Sequence, residues 1–194
     1  MIDQLQALVP KRALSRDEAL AVAELQAVRL RQALGVEEAT ITDQHLSNME
    51  GIRIEKLAGL GVSGASRRVG KLWIVLINRD EANVRNRFTI AHETKHILDD
   101  QATTHLHRRG LLAAGQDWLT ERICDYFAAC LLMPRLWVRR AWANGIQSPI
   151  ELAKLFDVSL DAMRIRLDQI GLVDSPGRCA AYEVEVVLPA RAAA

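Results

Sequence analysis

Cysteine is scarce in this sequence: three residues of this type occur among 194, and no two of them form a Cys-x-x-Cys pair. An odd and sparse set of thiols excludes a disulfide-stapled secreted scaffold and is typical of a reducing compartment. The N-terminus also lacks the charged and apolar regions of a signal peptide. We therefore expect a cytoplasmic protein with free thiols.

Long apolar runs and a large net charge are absent as well. No apolar stretch approaches the roughly 20 residues that a membrane-spanning helix needs. The formal net charge of +1 gives no bulk attraction to nucleic acid or to anionic membranes. A hydrophobic fraction of 49% is nevertheless ample for a core, and 194 residues suit one domain, or one domain with a small appendage.

A phosphate-binding loop is missing from the glycine-rich stretch. Gly59, Gly61 and Gly64 predict a loop, but it lacks the Gly-Lys-Ser/Thr ending that cradles phosphates, so nucleotide binding is not expected. The loop lies between two predicted strands, an alternating one at Ile52–Leu57 and a nearly all-apolar one at residues 71–78. The sequence thus predicts a small sheet in this region.

The sequence His-Glu-x-x-His is present at residues 92–96. No Pro or Gly interrupts residues 81–109, and apolar or small residues surround the two histidines, so a helix is predicted here. Asn86 is the expected N-terminal cap. The helix is expected to end near Asp99, because acidic residues are unfavourable at a helix C-terminus.

On this helix, His92 and His96 are four residues apart, so they share one face and can hold one Zn²⁺. Glu93 lies about 100° around the helix axis from His92, which places it beside the metal rather than on it. From there it can take a proton from water as a general base. The alternative is a chance pentapeptide, and structural context decides between the two.

A second helical pattern runs from residue 118 to 133 and is closed by Pro134. It carries Glu121 and Asp125, two acids at i, i+4 spacing. A zinc site for hydrolysis needs three protein ligands and one open position, so Glu121 can be the third ligand. Asp125 can accept a hydrogen bond from the far ring nitrogen of a ligating histidine. Alternatively, the two acids form a solvated helix face.

The two helical patterns together resemble the ImmA/IrrE family of zinc metallo-endopeptidases. The likeness rests on Asn-Arg-Phe-Thr-Ile-Ala-His-Glu-x-x-His at residues 86–96, and on Glu-x-x-x-Asp-x-Phe-Ala-Ala-x-Leu-Leu-Met-Pro at residues 121–134. It implies a zincin-like fold around the metal. The best-known members of this family cut helix-turn-helix repressors, so the resemblance also implies a repressor protein as the substrate.

By the same resemblance, His92, His96 and Glu121 are the metal ligands and Glu93 is the general base. Two residues depart from the family pattern, since Lys95 and Cys124 stand where small residues are more usual. Lys95 is expected to reach solvent, although a cation at this position can also lower metal affinity or stabilise an oxyanion. Cys124 is expected to be a small packed core residue rather than a metal ligand.

The group that stabilises the oxyanion is not assigned from the sequence. Besides Lys95, the candidates are Tyr126 on the second helix and His105 and His107 in a predicted loop at residues 101–116. Loops often carry functional residues, and each of these side chains can polarise a carbonyl group.

The remaining segments read mainly as helices. One is predicted at residues 2–9, and another at residues 15–34 begins with a capping box at Ser15. His45 is expected at the surface of a polar connection. Residues 180–188 alternate briefly like a strand.

Beyond Pro134, a helix at residues 135–144 precedes two short helices within residues 148–171 that resemble a helix-turn-helix. The first of these is expected to begin with a capping box at Ser148. Residues of the second helix that can face DNA are Arg164, Arg166 and Gln169. Structural packing is favoured over DNA contact, because Asp161 and Asp168 on the same helix oppose a phosphate-facing role.

The sequence therefore predicts an α+β fold, with a zincin-like metallopeptidase domain at residues 1–134 and a helical lobe at residues 135–194. The expected function is zinc-dependent cleavage of a helix-turn-helix repressor, which relieves repression, with one Zn²⁺ per chain. The alternative is a non-catalytic regulator that binds DNA or a repressor and has a metal-stabilised core. Neither direct nucleic-acid binding nor a membrane partner is favoured.

Overall fold

The chain has an α+β fold in the computed structural model, which describes residues 1–100 and 117–172. Eight helices and three strands lie in these two ranges. In chain order they are α1 (Ile2–Gln6), α2 (Arg16–Ala33), α3 (Asp43–Ser47), β1 (Ile52–Leu57), β2 (Gly64–Val69), β3 (Leu72–Asn78), α4 (Asn83–Asp99), α5 (Asp117–Leu132), α6 (Arg135–Ala143), α7 (Pro149–Phe156) and α8 (Leu160–Ile170).

The three strands form one sheet in the order β1-β3-β2, with the apolar strand β3 in the centre. β1 pairs with β3 in parallel, with Ile52 opposite Trp73. β2 pairs with β3 antiparallel, with Gly64 opposite Ile77. Val75 and Ile77 of β3 are fully buried. Burial of a central strand explains why β3 reads as a nearly continuous apolar run in the sequence.

The glycine-rich stretch is only partly the loop that the sequence predicts. Gly59, with a φ of 68°, lies in a turn, but Gly64 begins strand β2. Four of the six residues of β2 are exposed, among them Arg67 and Arg68, and the strand shows no apolar alternation that would mark it in the sequence. Its pairing with β3 makes it a strand, which is a tertiary effect that overrides local propensity.

The helical layer is built around α5, which packs against α2 on one side and α4 on the other. Helix α4 also contacts β2 and β3. Buried side chains from the three helices form the core between them, including Leu30 on α2, Ile97 on α4 and Phe127 on α5. Truncation of a buried Phe typically costs about 3–5 kcal/mol, so this core fixes α4 and α5 relative to each other.

Helix α2 starts as the sequence predicts, with a capping box. The backbone N–H of Glu18 donates to Ser15 Oγ at 3.3 Å, and the backbone N–H of Ser15 donates to Glu18 Oε2 at 2.8 Å. The predicted cap of α4 is wrong, because this helix begins at Asn83, three residues before Asn86. Asn86 is buried in the first turn and donates to the carbonyl oxygen of Glu81 at 3.2 Å.

Two short N-terminal elements also differ from their predictions. Helix α1 ends at Gln6, earlier than the predicted helix at residues 2–9. His45 lies in helix α3 rather than in an irregular connection, and it is half-buried. Its Nδ1 accepts from the backbone N–H of Thr42 at 3.2 Å, so this histidine acts as part of a capping box.

The helices beyond Pro134 lie close to their predicted positions, and α7 and α8 pack against each other. Pro149 occupies the first turn of α7, but Ser148 makes no side-chain hydrogen bond, so its predicted capping box is wrong. Asp157 ends α7 in the left-handed conformation with a φ of 50°. Arg87 on α4 donates to the carbonyl oxygen of Asp157 at 2.6 Å, which ties this turn to the helix that carries the histidines.

The expectation that Arg166 can face DNA is wrong. This side chain on α8 is fully buried, and its Nε donates to the carbonyl oxygen of Met133 at 2.9 Å. Arg164 and Gln169 are exposed, as is Asp161 beside them. Arg166 therefore holds α8 against the end of α5, and the exposed side of α8 carries both signs of charge.

A half-buried carboxylate joins four of the helices. Glu24 on α2 accepts from Arg135 Nε at 2.9 Å and from Tyr126 Oη at 2.9 Å, and Arg166 Nη2 lies 3.7 Å from its Oε1. The hydrogen bond from Arg135 holds the pKa of Glu24 below its usual value, with smaller contributions from Tyr126 and from the charges of both arginines. Burial by itself would raise the pKa of Glu24, but these hydrogen bonds and charges outweigh it. The ionised form of Glu24 therefore stabilises the fold.

No helix among the described residues is long and apolar enough to cross a membrane. The strand predicted at residues 180–188 lies outside the described residues, as does the loop predicted at residues 101–116.

We expect Glu24→Gln to lower the free energy of unfolding at pH 7 by about 1.5–3 kcal/mol, the size typical of hydrogen bonds to charged groups. Because the pKa of Glu24 is lowered in the folded state, its contribution is fully present above the usual value of 4.5 and is lost as the pH falls through the lowered pKa. Urea unfolding of both proteins between pH 7 and pH 3 measures this difference.

The matched control is Glu151→Gln, which removes an exposed carboxylate from α7. It should leave the unfolding free energy within about 0.5 kcal/mol of the parent, as is usual for surface substitutions. A Glu24→Gln protein as stable as the parent at pH 7, or a deficit of constant size down to pH 3, contradicts this role for Glu24.

Candidate metal centre

Helix α4 presents His92 and His96 on the face that packs toward α5. The two imidazole rings have centroids 4.9 Å apart, and their Nε2 atoms are separated by 3.1 Å. The His92 side chain is 16% exposed and that of His96 is 30% exposed. The i, i+4 spacing thus brings two nitrogen donors to one point that solvent can reach.

Helix α5 brings an acid to the same point. Glu121 Oε2 lies 3.2 Å from His92 Nε2, and Glu121 Oε1 lies 3.4 Å from His96 Nε2. The Glu121 side chain is more exposed than either histidine, at 54%. His92, His96 and Glu121 come from two helices and converge although 25 or more positions separate the acid from the histidines in sequence.

Asp125 contacts the opposite side of the first histidine. Its Oδ1 lies 2.9 Å from His92 Nδ1, a distance typical of a charge-assisted hydrogen bond. Because a carboxylate can only accept, Nδ1 is the protonated nitrogen and donates to Asp125. The lone pair of the neutral ring is then on Nε2, facing His96 and Glu121.

In this arrangement the lone pair of His92 Nε2 faces the lone pairs of the Glu121 carboxylate. In the neutral ring, His92 Nε2 is an acceptor, and the facing Glu121 carboxylate is an acceptor as well. Burial alone lowers the pKa of His92, but the hydrogen bond to Asp125 and the charges of Asp125, Glu121 and Glu93 outweigh it and raise the pKa. The cluster therefore attracts a cation. Two imidazoles and a carboxylate are a donor set that suits a divalent transition metal.

Cys124 is a further donor close to the histidines. It is fully buried, which confirms the expected packing, yet its sulfur and one ring nitrogen each of His92 and His96 all lie within 4.8 Å of one another. Burial raises the pKa of the Cys124 thiol, and the nearby charge of Asp99 raises it further. The sequence contains the relevant signal, since Cys124 follows Glu121 by three residues and so shares its helix face.

The edge strand β2 approaches the catalytic candidate Glu93. A Cβ atom built on Gly64 would lie 3.6 Å from Glu93 Cγ, and only 2.4 Å from Thr89 Cγ2. A side chain at residue 64 would therefore separate β2 from α4. Sequence reasoning places Gly64 in a loop and misses this close approach, because the approach depends on sheet pairing.

Lys95 does not reach solvent, so that expectation is wrong. The side chain is 3% exposed and points to α2, where Nζ donates to Gln26 Oε1 at 2.8 Å and to Asp99 Oδ1 at 2.6 Å. Gln26 in turn donates to the carbonyl oxygen of Leu5 at 3.0 Å. Lys95 thus anchors α4 to α2, and its ammonium group is engaged by Gln26 and Asp99.

The remaining oxyanion candidates stay predictions. Tyr126 is half-buried, and its hydroxyl is engaged with Glu24 and, at 3.4 Å, with Arg135. His105 and His107 lie outside the described residues.

A groove of about 610 Å³ opens beside Asp125, between α4, α5 and α8. Its lining is mostly apolar, with two arginines and two acids among the lining residues. The residues that give it this character are Phe88, Ala129, Val158, Ala162, Ile165, Arg85, Arg122 and Asp161. The groove therefore adjoins the candidate centre at Asp125.

The family model of the IrrE N-terminal-like domain, Peptidase_M78, matches residues 49–168, more than half of the chain. The chain belongs to this family. The match contains both helices of the candidate centre, so a metallopeptidase-type site is expected where the histidines lie.

A solved structure with a similar fold is a Mycobacterium tuberculosis transcriptional regulator, with a TM-score of 0.62 and 14% sequence identity. The alignment covers 86% of this chain and 51% of the regulator, so the chain spans about half the length of that protein. At this identity the likeness concerns the fold alone. No curated protein sequence matches the chain.

We expect Gly64→Ala to lower the stability of the protein by about 1–3 kcal/mol, because overpacking a close contact typically costs that much. The new methyl group meets the side chain of Thr89 and the carbonyl oxygen of Leu76, which lies 3.0 Å from the built Cβ atom. Thermal unfolding measures the change. Gly61→Ala is the control, since no atom lies within 4 Å of its built Cβ, and equal melting temperatures for the two variants contradict the close approach.

Proposed function

We propose that this protein is a zinc-dependent endopeptidase with a zincin-like site. His92, His96 and Glu121 hold one Zn²⁺, and Glu93 is the general base. The observation that carries this proposal is the convergence of His92 Nε2, His96 Nε2 and the Glu121 carboxylate within 3.4 Å of one another across two helices. Family membership supports it independently.

When bound by these residues, Zn²⁺ would lower the pKa of a water molecule to about 7 and would polarise a carbonyl group. The Glu93 carboxylate would accept a proton from the attacking water and later deliver it to the leaving amine. Asp125 keeps the Nδ1 proton on His92, so that Nε2 stays available as a ligand. The hydrogen bond from Lys95 to Gln26 ties α4 to α2, which helps to hold both histidines beside α5.

The polypeptide substrate is proposed to bind along β2. This strand lies at one edge of the described sheet, and at Gly64 it runs beside Glu93. An extended segment can add to such an edge through main-chain hydrogen bonds, which bind a peptide with little dependence on its side chains. The scissile bond then lies next to the general base.

The specific substrate is proposed to be a helix-turn-helix repressor, as the family resemblance implies. The mostly apolar groove that Asp125 helps to line between α4, α5 and α8 supports docking of a folded partner. Ile165 at the groove is 60% exposed and adds to the apolar surface there. Direct DNA binding has less support, since Arg166 is buried and acids lie beside the exposed Arg164.

We expect Asp125→Ala to weaken Zn²⁺ binding by roughly 10–100-fold, as is typical when a carboxylate that orients a metal-bound histidine is lost. Without Asp125, His92 can carry its proton on Nε2 and lose its donor lone pair. Competition with a chromophoric chelator measures the affinity. Asp161→Ala, which removes an exposed acid beside the same groove, should leave the affinity unchanged; equal affinities for the two variants contradict the role of Asp125.

We expect Glu93→Gln to retain Zn²⁺ and the fold but to lower repressor cleavage by at least about 10²–10⁴-fold, because the amide has nearly the same shape and accepts no proton at neutral pH. Cleavage is followed by incubation with candidate repressors, and zinc content is determined by elemental analysis. This variant should still bind the repressor without relieving repression. Relief of repression by a zinc-loaded Glu93→Gln protein would instead establish the non-catalytic regulator.

A further inference from the structure

The feature that the proposed function leaves unused is the thiol of Cys124. It lies on the α5 face that carries Glu121 and Asp125, and with the two histidine nitrogens it forms a group whose atoms are all within 4.8 Å. The other thiol of this helix, that of Cys130, is also buried but belongs to no such group in the described part of the chain. Both thiols are buried, so what distinguishes Cys124 from Cys130 is its position close to the two histidines.

We propose that Cys124 is a metal ligand, and that its thiolate binds the same ion as His92 and His96. This inference rests on the metal centre proposed above. On binding, the thiol loses its proton to solvent and a metal–sulfur bond forms. The ions that suit this donor set are those that accept sulfur together with imidazole nitrogen, such as Zn²⁺ and its spectroscopic substitute Co²⁺.

The histidines themselves point to a ligand here. His92 Nε2 and His96 Nε2 face each other at 3.1 Å, and the Nδ1 proton of His92 is committed to Asp125, so a lone pair is directed into the space between the helices. A cation at this point is approached by Glu121 from the exposed side and by Cys124 from the buried side. The sulfur position is thus part of a set of donors, and not an isolated cysteine.

The consequence concerns the coordination number. Structural zinc sites have four protein ligands, whereas catalytic sites have three and keep one position for water. Two histidines, Glu121 and Cys124 make four, so a site that uses all of them is closed to water. Glu121 is 54% exposed while Cys124 is buried. A site that used all four donors would thus resemble a structural zinc site, whereas the three-ligand set without Cys124 would keep the position for water.

The test loads the full-length protein with Co²⁺ and records its ultraviolet–visible spectrum. Thiolate bound to Co²⁺ gives an intense charge-transfer absorption in the near ultraviolet, which nitrogen and oxygen ligands do not give. We expect this absorption in the parent protein and its loss in Cys124→Ala. We also expect the variant to bind Co²⁺ more weakly by roughly tenfold or more, since loss of a group that only orients a ligand already costs about that much.

Cys130→Ala is the matched control, because it removes an equally buried thiol from the same helix. It should keep the absorption and the affinity of the parent. Circular dichroism of the metal-free proteins establishes that both variants fold; if Cys124→Ala does not fold, Cys124→Ser, whose hydroxyl group gives no such absorption, takes its place.

Two results overturn the proposal. Co²⁺ bound by the parent protein without the charge-transfer absorption shows that Cys124 is no ligand, and it leaves the proposed peptidase site intact. An absorption that persists in Cys124→Ala assigns the thiolate elsewhere. If the parent protein binds no Co²⁺ at all, both this inference and the proposed metal centre fail.

Discussion

The packing of α4 against α5 is the constraint on which the candidate site depends. Neither helix carries a complete donor set, since His92 and His96 come from one and Glu121 and Asp125 from the other. Apolar side chains such as Phe127, fully buried between the helices, fix the distance and the rotation of this pair. A turn of either helix by one residue would move its donors about 100° away. The core that folds the protein is therefore also what assembles the site.

Buried polar groups specify this arrangement further. Glu24 links α2 to α5 and α6 through Tyr126 and Arg135, and Lys95 links α4 to α2 through Gln26. Burying charges is costly unless they are paired and hydrogen-bonded, so placements of the helices that break these contacts are disfavoured. These contacts therefore help to hold α4 and α5 in the positions that assemble the site.

The close approach of lone pairs on His92, His96 and Glu121 makes the site attract a cation. A protonated Nδ1 on His92, an acceptor nitrogen opposite it and a carboxylate within 3.2 Å favour a positive charge between them. A peptidase function uses that property with an open position for water, whereas a thiol as close as Cys124 offers a way to close it. The set of side chains that bind the ion would therefore decide whether the site is open or closed to water.

The sequence by itself determined the local features of this protein. Helical spacing put His92 and His96 on one face, and alternation and apolar runs located β1 and β3 in the α+β fold, because these signals depend only on neighbouring residues. Tertiary structure alone decided what depends on distant partners. It buried Lys95 and Arg166, since a charged side chain enters a core only where distant acceptors such as Gln26 satisfy it. It made Gly64–Val69 a strand by pairing it with β3. It also brought Cys124 near the histidines by packing α5 on α4, because no local pattern encodes a contact between separate helices.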